Sequence, residues 1–166
     1  MKRSTLGAYR LLHHVDYRHG CEQWLATRNG QPQPLYFVKL FHPRELQHDW
    51  QPTLRALEKL IASPHPNLVT YVDAGYIDGG CYVAMKHVPG QLLESLLSDT
   101  PRGKAPMDPW QACALIHGAC RGLEHAYNVG QVVHRTLSPR SLMITPAGVV
   151  QVLGLDRPYH WYDDTD

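Results

Sequence analysis

The side chains of this chain that could ligate metal or attack an electrophile are dispersed rather than clustered. The four cysteines, Cys21, Cys81, Cys113 and Cys120, contain no C-x-x-C pair. A zinc knuckle, a thioredoxin-type site and a disulfide framework are therefore not expected, and reduced thiols are. Cys113 and Cys120 lie seven residues apart in a helical stretch and share a face, where two small buried hydrophobes are expected. The 11 histidines include no H-E-x-x-H or comparable ligand spacing, so no metal site is expected. His13-His14 reads as a loop or strand pair. Two polar features remain in apolar surroundings. One is Lys39, inside the run Leu35-Tyr-Phe-Val-Lys-Leu-Phe41, where a strand lysine with a snorkelling stem is the plain reading. The other is a polar loop following Val132-Val133, whose side chains include the hydroxyls of Thr136, Ser138 and Ser141.

At 166 residues with 43% apolar content, the chain can bury one sizeable core and is too short for two ordinary domains. A net charge of +1, from 16 Lys and Arg against 15 Asp and Glu, gives no broad basic field, so nucleic-acid binding is not expected. The first ten residues are charged early and never reach the apolar run of a signal peptide or membrane span, which implies a cytoplasmic protein and no membrane partner.

Periodicity predicts strands over 6–15, 22–28 and 35–41, with Asn29-Gly30 and two prolines as the connection between the last two. Leu54, Leu57, Leu60 and Ile61 recur at helical steps, predicting a helix over 52–62 that Ser63-Pro-His-Pro66 stops. Strands over 68–74 and 81–87 flank the turn Asp78-Gly-Gly80. A five-stranded antiparallel sheet with one helix inserted after the third strand results. Beyond Pro89-Gly90 the pattern is helical, short over 92–97 and long over 108–128, with Asp108 as N-cap, Pro109 at the first helical position and Gly130 as C-cap. A hairpin follows, with arms at 142–144 and 149–153.

That order of elements resembles the protein-kinase fold, and the local sequences agree. Tyr36-Phe-Val-Lys39 looks like the strand carrying the phosphate-binding lysine. His65-Pro-Asn-Leu-Val69 is similar to the HPNIV turn, and Tyr82-Val-Ala-Met85 with Val88-Pro-Gly90 resembles the gatekeeper strand and hinge. His134-Arg-Thr-Leu-Ser-Pro-Arg-Ser-Leu-Met143 looks like the catalytic loop, and it leads without a gap into Val150-Gln-Val-Leu-Gly-Leu-Asp156, where the family has its DFG strand. The resemblance implies an α+β kinase-like fold. Residues 1–88 would form the sheet-plus-helix lobe, and 89–166 a partial helical lobe without the activation segment and later helices.

Phosphoryl transfer needs the nucleotide's charge neutralised and the acceptor hydroxyl oriented. The resemblance places the catalytic base at Thr136, which cannot accept a proton near neutral pH; the absence of a carboxylate there should alone cost about 10² to 10⁴ in rate. It places the phosphate-steadying lysine at Ser138, one magnesium ligand at Ser141 and the DFG aspartate at Gly154. No catalytic residue and no metal site are therefore expected. A register shift that hands the metal to Asp156 is an alternative, at the expense of a longer hairpin. Asp16, Arg18 and Cys21 fall at the glycine-loop positions, where side chains obstruct phosphates. A vestigial nucleotide cleft would comprise Lys39, Met85 and Val88, with no cofactor expected and ATP binding doubtful. The helix glutamate that partners Lys39 is hard to place, since counting back from His65 lands on Ala56 or Arg55 and reaches Glu58 only with a slip.

The resemblance therefore implies a pseudokinase acting as a protein-interaction or regulatory scaffold. The alternatives are a weak or atypical kinase using Lys39 with Asp156 or Asp16, and a metal-independent nucleotide sensor. In the family the long helix packs against later helices. Its face bearing Trp110, Leu115, Ile116, Ala119 and Leu123 is thus expected to meet a second copy or another protein. Residues 159–166 read as a frayed end or a docking tail.

Overall fold

The computed structural model describes residues 4–18, 21–42, 49–101 and 107–157. The chain divides into two compact units, with 63–70 and 88–155 in one and the remainder in the other.

The first unit is organised by an antiparallel sheet of order β1-β2-β3-β4-β6-β5, formed by β1 (Thr5–Leu6), β2 (Tyr9–Arg18), β3 (Cys21–Arg28), β4 (Tyr36–Phe41), β5 (Tyr71–Ile77) and β6 (Gly80–Lys86). The five expected strands are present, and β1 adds a two-residue sixth beyond Gly7-Ala8. Asp78 and Gly79 both have positive φ, at 47° and 77°, with Ile77 and Gly80 as the closing pair. A two-residue turn of this kind matches the strands' right-handed twist. Gly80 is required by close packing rather than by its φ: a Cβ there would lie 2.5 Å from the Phe41 carbonyl oxygen.

Strand alternation divides the sheet's side chains. Val38 and Leu40 join Leu6, Tyr9, Leu11, Ala26 and Ala84 in one buried cluster, and Arg28 sits over the Tyr9 ring and 3.8 Å from Asp73 at its edge. The opposite parity carries Phe37, Lys39 and Phe41. Phe41 packs against Trp50 in a tilted ring contact, ring centres 4.5 Å apart, just ahead of helix α1 (Gln51–Ala62). Leu54, Ala56, Leu57 and Leu60 are the buried side of α1, which packs on β5.

The second unit contains a three-stranded sheet of β7 (Gln91–Leu92), β8 (Leu142–Ile144) and β9 (Val150–Val152), with helices α2 (Leu93–Asp99) and α3 (Pro109–His125). Asp108 caps α3 as expected: its carboxylate accepts from the Trp110 and Gln111 amides, while Gln111 returns a bond to the cap's own N–H. The far end differs from expectation. The helix widens into a π-turn over Ala126–Gly130, and Gln131, at φ 56°, takes the left-handed cap that Gly130 was expected to supply.

Close approach decides which side of α3 is buried. A Cβ on Gly118 would lie 2.8 Å from Val150 Cγ1, and one on Gly122 would lie 2.5 Å from the Asn67 carbonyl oxygen. Gly118, Ala119, Gly122 and Ala126 therefore form the buried side, seated on β9 and the turn at 63–67. The expectation for the cysteines is corrected by this seam: Cys113 and Cys120 both lie on the opposite, exposed side. The expected interaction face is corrected too. Trp110 is 85% and Ile116 54% exposed, whereas Ala119 is buried. No described helix is long and apolar enough to cross a membrane. The tail at 159–166 lies outside the described residues.

Candidate functional site

Lys39 stands in the middle of β4, opposite Gln23 of β3 and Val83 of β6. Its ammonium lies 3.0 Å from Asp156 Oδ1 and 2.7 Å from Oδ2. The lysine side chain is 14% exposed and the carboxylate is wholly buried. Oδ2 receives no other hydrogen bond among the described residues. A buried carboxylate with no other donor at that oxygen depends on its cation. Cys21, also buried in this unit, has its thiol pushed up to about 12, chiefly by burial, with the Lys39 charge opposing. It is an inert thiol at neutral pH.

Asp156 enters the sequence reading only as an alternative, through a shifted register or an atypical kinase, and the structure places it against Lys39. The expected position for a carboxylate was Gly154, which has no side chain, and the search for a lysine partner went to α1. There Glu58 is exposed and Ala56 is buried. Asp156 reaches Lys39 without the lengthened hairpin that had counted against it. The β8–β9 pairs Leu142↔Val152 and Ile144↔Val150 keep the expected short turn, and Gly154, at φ 88°, bends the chain after β9. The signal available in the sequence was that Asp156 is the first charged residue after the apolar stretch beginning at Val149.

The other positions named from the sequence fall as follows. Met85 is buried in β6, opposite Phe37 and Tyr71. Val88 is partly buried and begins a segment of the second unit. Asp16 pairs with Gln23 and Arg18 with Cys21 across β2 and β3, while His19 and Gly20 lie outside the described residues. Asp16 Oδ1 accepts from the Tyr17 amide at 2.8 Å.

In the second unit, the polar loop is held by its backbone. His134 is buried and its Nε2 donates to the Leu153 carbonyl at 2.6 Å. Nδ1 is buried without a hydrogen-bond partner among the described residues. Gly154 lies against this ring, its notional Cβ 3.5 Å from Nε2. Arg135 adopts a left-handed φ of 63°, and the Thr136 amide donates to the His134 carbonyl at 2.7 Å. A single 3-10 turn over Pro139–Ser141 then brings the Ser141 amide to the Ser138 carbonyl, and the Leu153 amide bonds the Ser141 carbonyl at 2.8 Å. Thr136 is exposed; Ser138 and Ser141 are partly buried. Ser138 lines an open groove with Ser98, Leu97 and the ion pair Arg140–Glu94. The loop thus offers hydroxyls and no carboxylate, and no group of three or more His, Cys, Asp or Glu able to hold a metal occurs among the described residues.

A strand lysine facing a carboxylate, an HPN turn under a long helix, and an H-R-x loop leading into a β-hairpin together define a protein-kinase-like domain. The family model for protein tyrosine and serine/threonine kinases matches residues 21–162, and the chain belongs to that family. Among curated relatives, the serine/threonine-protein kinase PknB of Mycobacterium leprae is 28% identical over 103 residues, covering 60% of this chain and 16% of PknB. The serine/threonine-protein kinase PksC of Streptomyces coelicolor is 32% identical over 93 residues, covering 54% of this chain and 16% of PksC. The chain therefore spans only a small fraction of these relatives' length. The crystal structure of the Mycobacterium tuberculosis PknI kinase domain superposes with a TM-score of 0.76 at 20% identity, covering 96% of this chain and 63% of that one. At that identity the likeness establishes the fold, an antiparallel sheet with one helix together with a partial helical part.

Proposed function

We propose that this domain is a pseudokinase that acts through protein contacts rather than by transferring phosphate. The observation that carries the reading is the chemistry of the loop at 134–141. A protein kinase needs a carboxylate base and a metal-binding amide there, and Thr136 and Ser141 present only hydroxyls, with Ser138 where a phosphate-steadying lysine is needed. A hydroxyl at Thr136 cannot take a proton from an acceptor near neutral pH.

A second reading, a weak or atypical kinase, draws on the Lys39–Asp156 pair, since a lysine and a carboxylate are what a nucleotide and its metal require. Against it, Asp156 is fully buried, and magnesium dehydrates reluctantly and keeps several waters. A carboxylate sealed against an ammonium suits a structural ion pair better than a wet metal site. On the pseudokinase reading the partner surface is the exposed side of α3, with Trp110 and Ile116 foremost and the partly buried Leu123 at its margin, while Leu115 falls on the seated side.

A thermal-shift titration with ATP, with and without magnesium, separates the readings. The pseudokinase scaffold gives no shift in either condition. A magnesium-dependent shift would favour the atypical kinase, and a metal-independent one a nucleotide sensor.

A further inference from the structure

His65 and His125 are partly buried and stack with ring centres 4.8 Å apart and planes 27° apart. His125 closes α3, and His65 lies in the turn at 63–67 on which α3 is seated. Their hydrogen bonds fix which ring nitrogens donate and which accept. His125 Nε2 faces the Ser63 carbonyl oxygen at 2.7 Å, so that nitrogen donates; the Ser63 hydroxyl lies 3.5 Å away. His65 Nδ1 faces the Asn67 amide at 3.1 Å, so that nitrogen must accept. A ring nitrogen that accepts is unprotonated, so this geometry requires neutral His65.

Asn67 ties three elements together. Its side-chain amide donates to the Val150 carbonyl at 3.0 Å, its carbonyl accepts from the Val152 amide at 2.9 Å, and Gly122 of α3 has no room for a side chain against that same carbonyl. We propose that the His65–His125 stack is a proton-operated clasp that pins the turn at 63–67 to the end of α3 and loosens when the medium acidifies. Protonating His65 at Nδ1 converts the acceptor into a donor facing the Asn67 N–H. That breaks the bond and sets a cation against the His125 ring.

The groups that act on His65 are His125 and Arg121, both on α3; β9, also beneath the turn, contributes Val150, Gln151 and Val152, none of which titrates. Burial holds His65 below the ordinary imidazole range, and Coulombic repulsion from His125 and Arg121 adds to it. Since the folded state resists protonation more than the unfolded chain does, the clasp's contribution is complete above about pH 6.5. It is lost as pH falls from there through the lowered folded value.

The test compares the 166-residue chain with His65→Asn, whose amide oxygen can still accept from the Asn67 amide but does not titrate. Ring titrations by NMR in the unaltered chain, with His65→Asn and His125→Gln used to assign the signals, should place His65 below its value in an unfolded peptide. Between pH 7.5 and 5, the unaltered chain should lose more folding stability than His65→Asn, by nearly tenfold in equilibrium constant for a depression of about one unit and by no more than about thirtyfold, because only about 1.5 pH units separate the ordinary imidazole value from pH 5. Exchange of the Asn67 amide, corrected for intrinsic pH dependence, should accelerate over the same window. A His65 ring titrating at or above the peptide value overturns the proposal, as does an equal acid loss in both proteins. Should His65→Asn fail to fold, the ring titration in the unaltered chain decides alone.

Discussion

Replacing Lys39 with methionine removes the one charge that, among the described residues, is paired with the fully buried carboxylate of Asp156. The methionine keeps most of the stem's apolar volume, so the change isolates the charge. Asp156 would then be buried without an ion-pair partner among the described residues, and stranding one partner of a buried pair costs about 3–5 kcal/mol. Asp156→Asn should cost less, because the lysine retains 14% exposure and its flexible stem can lift the ammonium towards water. The double variant Lys39→Met with Asp156→Leu removes both charges and should recover most of the loss, since an apolar pair of similar volume often replaces a buried ion pair without penalty. Urea unfolding of the four proteins gives the coupling by a double-mutant cycle. A Lys39→Met protein within about 0.5 kcal/mol of the parent, the range of ordinary surface substitutions, would show that the pair is not structural. Additive single and double losses would refute the coupling itself.

Gly122→Ala should destabilise the protein by about 1–3 kcal/mol in the same assay, because the new methyl would lie 2.5 Å from the Asn67 carbonyl oxygen; an unchanged midpoint would mean α3 is not seated so closely. In the native protein a thiol reagent at neutral pH should modify Cys113 and Cys120 quickly, since both are exposed, and leave Cys21 and Cys81 until unfolding, since both are buried with thiols pushed up to about 12. Mass mapping of the adducts checks this, and early labelling of Cys81 would contradict it. Burial raises the Glu22 carboxyl, but hydrogen bonds from Trp24 Nε1 and His42 outweigh it, and the net value lies below the usual carboxylate range. Its contribution is therefore present above about pH 4.5 and lost as pH falls through the lowered value. Glu22→Gln should flatten that acid limb in pH-dependent melts, and an identical limb in the variant would argue against it.

The strands and helices were readable because local rules and packing agree along most of the chain. Alternation in β4, the leucine spacing of α1 and the Asp108-Pro109 start of α3 each point to one structure. The short strand β1 was missed because two residues carry no period. The end of α3 was misjudged because Gly130 resembles a cap, while the π-turn shifted the left-handed position to Gln131. The cysteines were misplaced because an apolar helix does not announce which side is buried. Here the absence of side chains at Gly118 and Gly122 decided it, and that depends on how closely Asn67 approaches. Among the candidate residues, the hydroxyl positions and Lys39 were legible from motif order. Asp156 was not, because its role depends on a bend at Gly154 that brings a carboxylate two positions late to a lysine 117 residues away in sequence. Pairings of that kind are made by the fold rather than by spacing.

The most direct measurement is transfer of radiolabelled γ-phosphate from ATP, with magnesium or manganese, to the chain itself and to a general protein substrate, with Lys39→Met as control. A pseudokinase gives incorporation no greater than in the control. Transfer above that level, abolished in Lys39→Met and altered by substitution at Thr136 or Asp156, would contradict the pseudokinase reading.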